Sequence, residues 1–137
     1  MPVGEVTEAE LVAFGEAFGA ALERPAFVGL EGDLGAGKTT LAAAILRGAG
    51  VRDTVTSPTY ALVHTYDTPR GPAHHADLYR LDGPAQLAAI GWDELLRSTD
   101  LVLVEWPERA AGQWPATAQR IALAHLPGDP GRRRLTW

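Results

Sequence analysis

The run Gly32-Asp33-Leu34-Gly35-Ala36-Gly37-Lys38-Thr39 has the spacing G-x-x-x-x-G-K-T, the pattern of a phosphate-binding loop. Its glycines permit backbone conformations closed to other residues. Consecutive N–H groups, from Gly35, Ala36 and Gly37 through Lys38, Thr39 and Thr40, can then point at phosphate oxygens. Lys38 adds a point charge for the outer phosphates, and the Thr39 hydroxyl is a ligand suited to Mg²⁺. A second run, Leu101-Val102-Leu103-Val104-Glu105, is an apolar β-favouring stretch that ends in a carboxylate. Many buried strands end in an acid, but downstream of a complete phosphate loop this one reads as the strand that delivers an acid beside Mg²⁺. Asp77, at the end of another strand-like stretch, is a further candidate for organising Mg²⁺ or orienting water. His74 and His75 lie close by, yet the sequence supplies no complete ligand set for zinc around them.

Such a loop needs a strand before it and a helix after it. Pro25 to Leu30 is a short apolar run fit for a buried strand, and Thr40 to Arg47 is helix-forming, with Gly48 and Gly50 placed to close it. Upstream, Thr7-Glu8-Ala9-Glu10 fits a capping box, and Leu11, Phe14, Phe18, Ala21 and Leu22 follow at helical spacing. That helix is either an ordinary amphipathic element or one that also sits near a nucleotide base. Asp53 to Thr59 is polar and rich in hydroxyls, either a surface loop or, through groups such as Ser57 and Thr59, a segment that orders on a γ-phosphate or Mg²⁺. Tyr60 to Tyr66 and Ala73 to Tyr79 read as a hairpin around the turn residues Thr68 to Pro72, with His75, Asp77 and Tyr79 on one face. Asp82-Gly83-Pro84 caps a helix over Ala85 to Ile90. Gly91 interrupts it before a further turn over Asp93 to Arg97, and Leu87, Ile90, Leu95 and Leu96 face a core. Trp106-Pro107 ends the Glu105 strand, with Trp106 shielding the site from water, stacking on a partner or packing as a strand-end core aromatic. Ala116 to Trp137 forms a last hairpin turning at Gly128 to Gly131.

The 137 residues suffice for one domain with one core. With 46% apolar and 21% charged residues the composition is that of a soluble globular protein, and no run approaches the roughly 20 apolar residues of a membrane span. No basic, apolar leader segment is visible, so a cytoplasmic protein is expected. The absence of cysteine excludes disulfides and thiolate metal sites. A net charge of −5 argues against nucleic-acid binding through bulk electrostatics. Arg132-Arg133-Arg134 is the one basic cluster, read as a solvated strand face or a contact to phosphate or a partner.

These parts assemble a phosphoryl-transfer site whose acceptor is not written in the sequence. A small kinase acting on a metabolite is the alternative. It would need a second pocket and a lid, for which little chain remains, so water is the expected acceptor. An arginine to stabilise the transition state is unassigned among Arg80, Arg97 and Arg109, or comes from a partner, and slow hydrolysis by the chain alone follows.

The segments 32–40, Ser57-Pro58-Thr59-Tyr60, His75-Ala76-Asp77-Leu78-Tyr79-Arg80-Leu81 and Val104-Glu105-Trp106-Pro107 resemble, in order and spacing, the TsaE (YjeE) family. The resemblance runs from about Thr7 to Trp114. It implies an α/β, P-loop NTPase-like three-layer fold with a mainly parallel central sheet and added antiparallel hairpin strands. It implies an ATPase using ATP and Mg²⁺ that supports turnover of the TsaD and TsaB proteins in threonylcarbamoyladenosine modification of tRNA. By motif position it implies Mg²⁺ roles for Thr39 and Glu105, a catalytic role for Lys38, and a second acid at Asp77 with Trp106 beside it. Glu8 is expected near the nucleotide, as is an arginine of the 132–134 cluster, taken as Arg132.

Overall fold

The protein is described from a computed structural model covering residues 3–58, 62–110 and 112–137. Thr59, Tyr60 and Ala61, and with them part of the expected hydroxyl segment and hairpin, lie outside the described residues.

The chain opens on a strand not anticipated from its sequence, β1 (Val3–Thr7), followed by helix α1 (Glu8–Ala21). The capping box forms as expected. Thr7 Oγ1 accepts from Glu10 N–H at 3.2 Å, and Glu10 Oε1 accepts from Thr7 N–H at 3.0 Å. Accepting the Thr7 N–H favours the ionised Glu10 side chain and lowers its pKa. Strand β2 (Ala26–Glu31) leads through the glycine-rich loop into α2 (Lys38–Gly48). The hairpin is shorter than the sequence suggests, β3 (Val63–Tyr66) and β4 (Ala73–Asp77), because Tyr79 belongs to the turn beyond β4. Helices α3 (Pro84–Ala89) and α4 (Trp92–Leu96) are separated at Gly91, as expected. Strand β5 (Leu101–Glu105) is buried throughout and passes into a single 3₁₀ turn over Pro107–Ala110. Strands β6 (Gln119–Leu126) and β7 (Asp129–Thr136) close the chain. Leu126 pairs with Asp129, so the turn is Pro127-Gly128 rather than the expected Gly128 to Gly131. Pro130, lacking a donor, lies in the part of β7 that β1 does not reach.

The strands form one sheet in the order β1-β7-β6-β2-β5-β4-β3. The inner strands β6, β2, β5 and β4 run parallel, and β7, β1 and β3 add antiparallel pairs outside them. Alternation along these strands feeds two cores. Leu30, Leu101, Leu103, Ile121, Leu123 and Leu135 face α1 and α2. Phe27, Val102, Val104, Ala76 and Leu78 face α3, α4 and Trp92, whose indole is 1% exposed. Of the four apolar residues expected to make this second core, Leu87 and Leu95 are buried, while Ile90 and Leu96 pack against it half-covered. The α1–α2 contact is close enough to require glycine. A Cβ on Gly19 would stand 2.0 Å from the Ile45 carbonyl oxygen.

Candidate functional site

Parallel strands that all point one way leave a crevice beyond their carboxyl ends, where ligands of open α/β sheets bind. Here β2 runs into the glycine-rich loop, and β5 beside it and β4 beyond β5 finish on Glu105 and Asp77, which are paired in register. Both acids therefore come to the same edge, on the face covered by α2. Gly37 is the N-cap of α2 at φ 108°, a left-handed conformation that favours glycine, and no side chain caps the helix. The first N–H groups of α2 have no carbonyl four residues back and are directed out of the helix end.

Two clefts flank this turn. The larger, about 530 Å³, is lined by Lys38, Thr39, Ser57, Asp77, Arg80 and Glu105, with Tyr79 and Trp106 as aromatic walls. The smaller, about 240 Å³, lies between Glu8, Leu11, Thr40, Pro130 and Arg133. Gly35, Gly37 and Thr40 line both, so the loop is the saddle between them.

In the larger cleft Thr39 Oγ1 donates to Glu105 Oε1 at 3.0 Å, and Glu105 Oε2 meets His75 Nε2 at 2.7 Å. Asp77 is 8% exposed and accepts from Tyr79 N–H at 3.0 Å. Burial raises its pKa, the neighbouring Glu105 charge adds to that, and the Tyr79 N–H, His75 and Lys38 oppose it. The Lys38 ammonium donates to the Gly32 and Asp33 carbonyls and lies 4.1 Å from the centre of the Trp106 ring. Its burial lowers the lysine pKa, against the pull of Glu105 and three other acids. Trp106 has φ 58°, unusual for a non-glycine residue, and this turn at the end of β5 sets its ring between Lys38 and Tyr79, whose ring centre is 4.9 Å away. The cleft thus offers an ammonium, oriented amides and oxygen donors from a hydroxyl and two carboxylates. This all-oxygen set suits a hard divalent cation sharing its shell with phosphates and water. Among the described residues no three His, Asp or Glu side chains converge into a protein-only metal cage.

Most residues singled out from sequence meet here: Lys38, Thr39, Ser57, Asp77, Glu105 and Trp106 in one cleft, Glu8 in the other, and Gly35, Gly37 and Thr40 in both. Ala36 lines the smaller. Thr59 lies outside the described residues. Arg132 is exposed and pairs with Asp129 at 3.7 Å, and does not line either cleft. Its neighbour Arg133 does, donating from Nε to the Ala36 carbonyl at 3.2 Å and from Nη1 to the Pro130 carbonyl at 2.8 Å. The period of two carries the signal: Arg133 shares the face of buried Leu135, whereas Arg132 and Arg134 face away. Of the arginines considered for a transition-state role, Arg80 lines the larger cleft and Arg109 lies over the Tyr79 ring. Arg97 lines a different cleft with His74 and Asp100, at the opposite edge of the sheet. No helix among the described residues is long and apolar enough to cross a membrane.

Fold and site define a mixed α/β protein with a binding cleft built over a glycine-rich turn at a helix N-terminus. Residues 6–134 match the family described as threonylcarbamoyl adenosine biosynthesis protein TsaE. The tRNA threonylcarbamoyladenosine biosynthesis protein TsaE of Rickettsia bellii is 41% identical over 90% of this chain and 85% of its own. The protein of the same name from Haemophilus influenzae is 39% identical over 79% of this chain and 72% of its own. The crystal structure of YdiB from Bacillus subtilis superposes with a TM-score of 0.71 at 29% identity, over 98% of this chain and 85% of that one. The chain belongs to the TsaE family.

Proposed function

We propose that this chain is a single-domain cytoplasmic ATPase that uses Mg²⁺ and whose cycle supports turnover of the TsaD–TsaB pair, with tRNA in the assembly, in threonylcarbamoyladenosine biosynthesis. The observation that carries the reading is the meeting of Thr39, Glu105 and Asp77 with Lys38 at one cleft, beside a helix end with uncapped donors. Such a set favours a polyphosphate: oriented N–H groups and an ammonium meet its charge, and the acids stand where a nucleophile must be organised.

Phosphate oxygens are taken by the amides of Gly35 to Thr40. They compete for the Lys38 ammonium with the Gly32 and Asp33 carbonyls, and an anion is the stronger acceptor. The base and ribose occupy the smaller cleft between Glu8 and an arginine of β7. Mg²⁺, when bound, neutralises phosphate charge, with the Thr39 hydroxyl and Glu105 to hold it. Asp77 orients the attacking water and takes its proton, a role that its raised proton affinity favours. Ser57 meets the γ-phosphate side of the cleft, and Trp106 with Tyr79 keeps bulk water from it. Leu34, 68% exposed on the crown of the loop, and Tyr79, 38% exposed across from it, give the rim an apolar character that a partner protein would cover.

The test is ATP binding and phosphate release by the purified chain, alone and with TsaB, TsaD and tRNA. Slow hydrolysis alone and a changed rate with partners are expected. Lys38→Ala should lower hydrolysis by roughly 100-fold or more, as loss of one transition-state donor does. An unchanged rate in Lys38→Ala would sink the reading, and transfer of labelled γ-phosphate to a metabolite would replace it with a kinase.

A further inference from the structure

The His75 imidazole is fully buried, and its Nδ1 has no hydrogen-bond partner. Its Nε2 lies 2.7 Å from Glu105 Oε2. With a neutral ring two proton placements fit that contact, and an imidazolium would, like the second of them, leave a buried N–H on Nδ1 unpaired. In one, Nε2–H donates to the Glu105 carboxylate and Nδ1 is left as a bare lone pair. In the other, a protonated Glu105 donates to Nε2, and Nδ1 carries a hydrogen with nothing to accept it. Orphaned buried N–H groups are rarer than under-used acceptors, and leaving a buried donor unpaired carries a desolvation penalty, so the first placement is favoured. The Thr39 hydroxyl donates to the other oxygen, Oε1, at 3.0 Å. The carboxylate is therefore gripped at both ends. The register explains how: His75 lies opposite Leu103, one step of the pleat before Glu105 on the same face, so the ring reaches diagonally to the strand end.

We propose that His75 is a positioning residue for Glu105. As the Nε2–H tautomer it holds Oε2 within the sheet and so presents Oε1 to Thr39 and the cleft. This rests on the reading above for the work Glu105 performs, but the grip itself is a property of the chain without ligands. A hydrocarbon at 75 removes the donor and leaves Oε2 buried and unpaired, so the carboxylate turns to find another partner. The loop amides and Lys38 do not depend on that contact, and nucleotide affinity is spared.

Two measurements test it. In the ¹⁵N NMR spectrum of histidine-labelled protein without nucleotide, His75 should show a protonated Nε2 and a bare Nδ1, and Glu105→Ala should abolish that signature. A native ring carrying its proton on Nδ1, or on both nitrogens, overturns the proposal. In kinetics, His75→Leu should lower kcat by about 10- to 100-fold, the usual cost of losing the partner that orients a ligand, with the ATP Kd nearly unchanged. His75→Gln places an amide N–H near the Nε2 position and should restore most of the loss. Native kcat in His75→Leu, or a folded His75→Gln no better than Leu, overturns it. Should the native protein hydrolyse no ATP, the ATPase reading fails and the NMR measurement alone decides the role of His75.

Discussion

Adjacent histidines on β4 make the same kind of contact in opposite settings. His74 faces α4, and its Nε2 meets Asp100 Oδ2 at 3.0 Å, with the Asp100 side chain 28% exposed. Its Nδ1 is matched by the Thr65 hydroxyl at 3.0 Å, so every nitrogen of the ring has a partner. His75 faces α2, fully buried, with Glu105 on one nitrogen and nothing on the other. The outer pair is satisfied and stands at the edge of the sheet away from the glycine-rich loop. The inner pair is incompletely satisfied, although burial makes that costlier. A fold optimised for stability alone would complete or remove the inner pair. Its place beside Thr39 and Asp77 is in keeping with the proposed role of that end of the sheet.

The comparison breaks most readily at the two acids. Glu105→Ala is expected to lower ATP hydrolysis by roughly 100- to 1,000-fold and, by leaving the His75 N–H buried and unpaired, to destabilise the fold by about 1–3 kcal/mol. Glu105→Gln keeps an acceptor for His75, so it should lose the activity but little of the stability. Asp100→Asn should leave the hydrolysis rate alone and cost at most about 1 kcal/mol. Urea unfolding and phosphate release on the three variants decide it. Equal kinetic losses at Glu105 and Asp100 would erase the distinction between the pairs.

Much of this site is legible in the sequence because its parts are local. The loop, the flanking strand and helix, and the acid ending Leu101 to Glu105 each follow from a short run of residue types. What is not legible depends on register and on neighbours distant in sequence. That Asp77 sits opposite Glu105 follows from how β4 lies along β5, and no spacing between residues 77 and 105 encodes it. Arg133 rather than Arg132 reaches the loop because Leu135 fixes which face of β7 is inward, a pattern present in the sequence but hidden by three identical residues. Strand β1 is short, carries a glycine at its second position, and becomes a strand only by pairing with β7, so propensity gave it little weight. The positive φ of Trp106 had no sequence mark at all, since glycine is what that conformation ordinarily selects.

A smaller effect separates the ends of the sheet by the sign of their pH response. Burial holds the Asp77 pKa above its unfolded value, so between the two values the native state binds more protons than the unfolded one. Stability contributed at this position therefore falls as pH rises through that window. Asp77→Asn keeps an oxygen for the Tyr79 N–H and is never charged, so near neutral pH it should be more stable than the native protein and much less active. Its advantage should fade below the unfolded carboxylate pKa of about 3.9. A destabilised Asp77→Asn at neutral pH would show that the ionised carboxylate is stabilising, contrary to its burial.

At Asp100 the slope reverses. The His74 hydrogen bond, helped by Ser98 and the nearby Arg24 charge, outweighs its partial burial and lowers its pKa. A carboxylate with a depressed folded pKa contributes stability that is fully present above its unfolded value, about 3.9, and is lost as pH falls through the folded value. The native protein should exceed Asp100→Asn in stability by a constant margin of no more than about 1 kcal/mol at neutral pH, and the two unfolding curves should converge in acid. The Asp77 and Asp100 variants thus converge on the native stability profile in acid from opposite sides, the first from above and the second from below. If both margins moved the same way with pH, the contrast between the buried acid at Asp77 and the hydrogen-bonded one at Asp100 would be wrong at its electrostatic root.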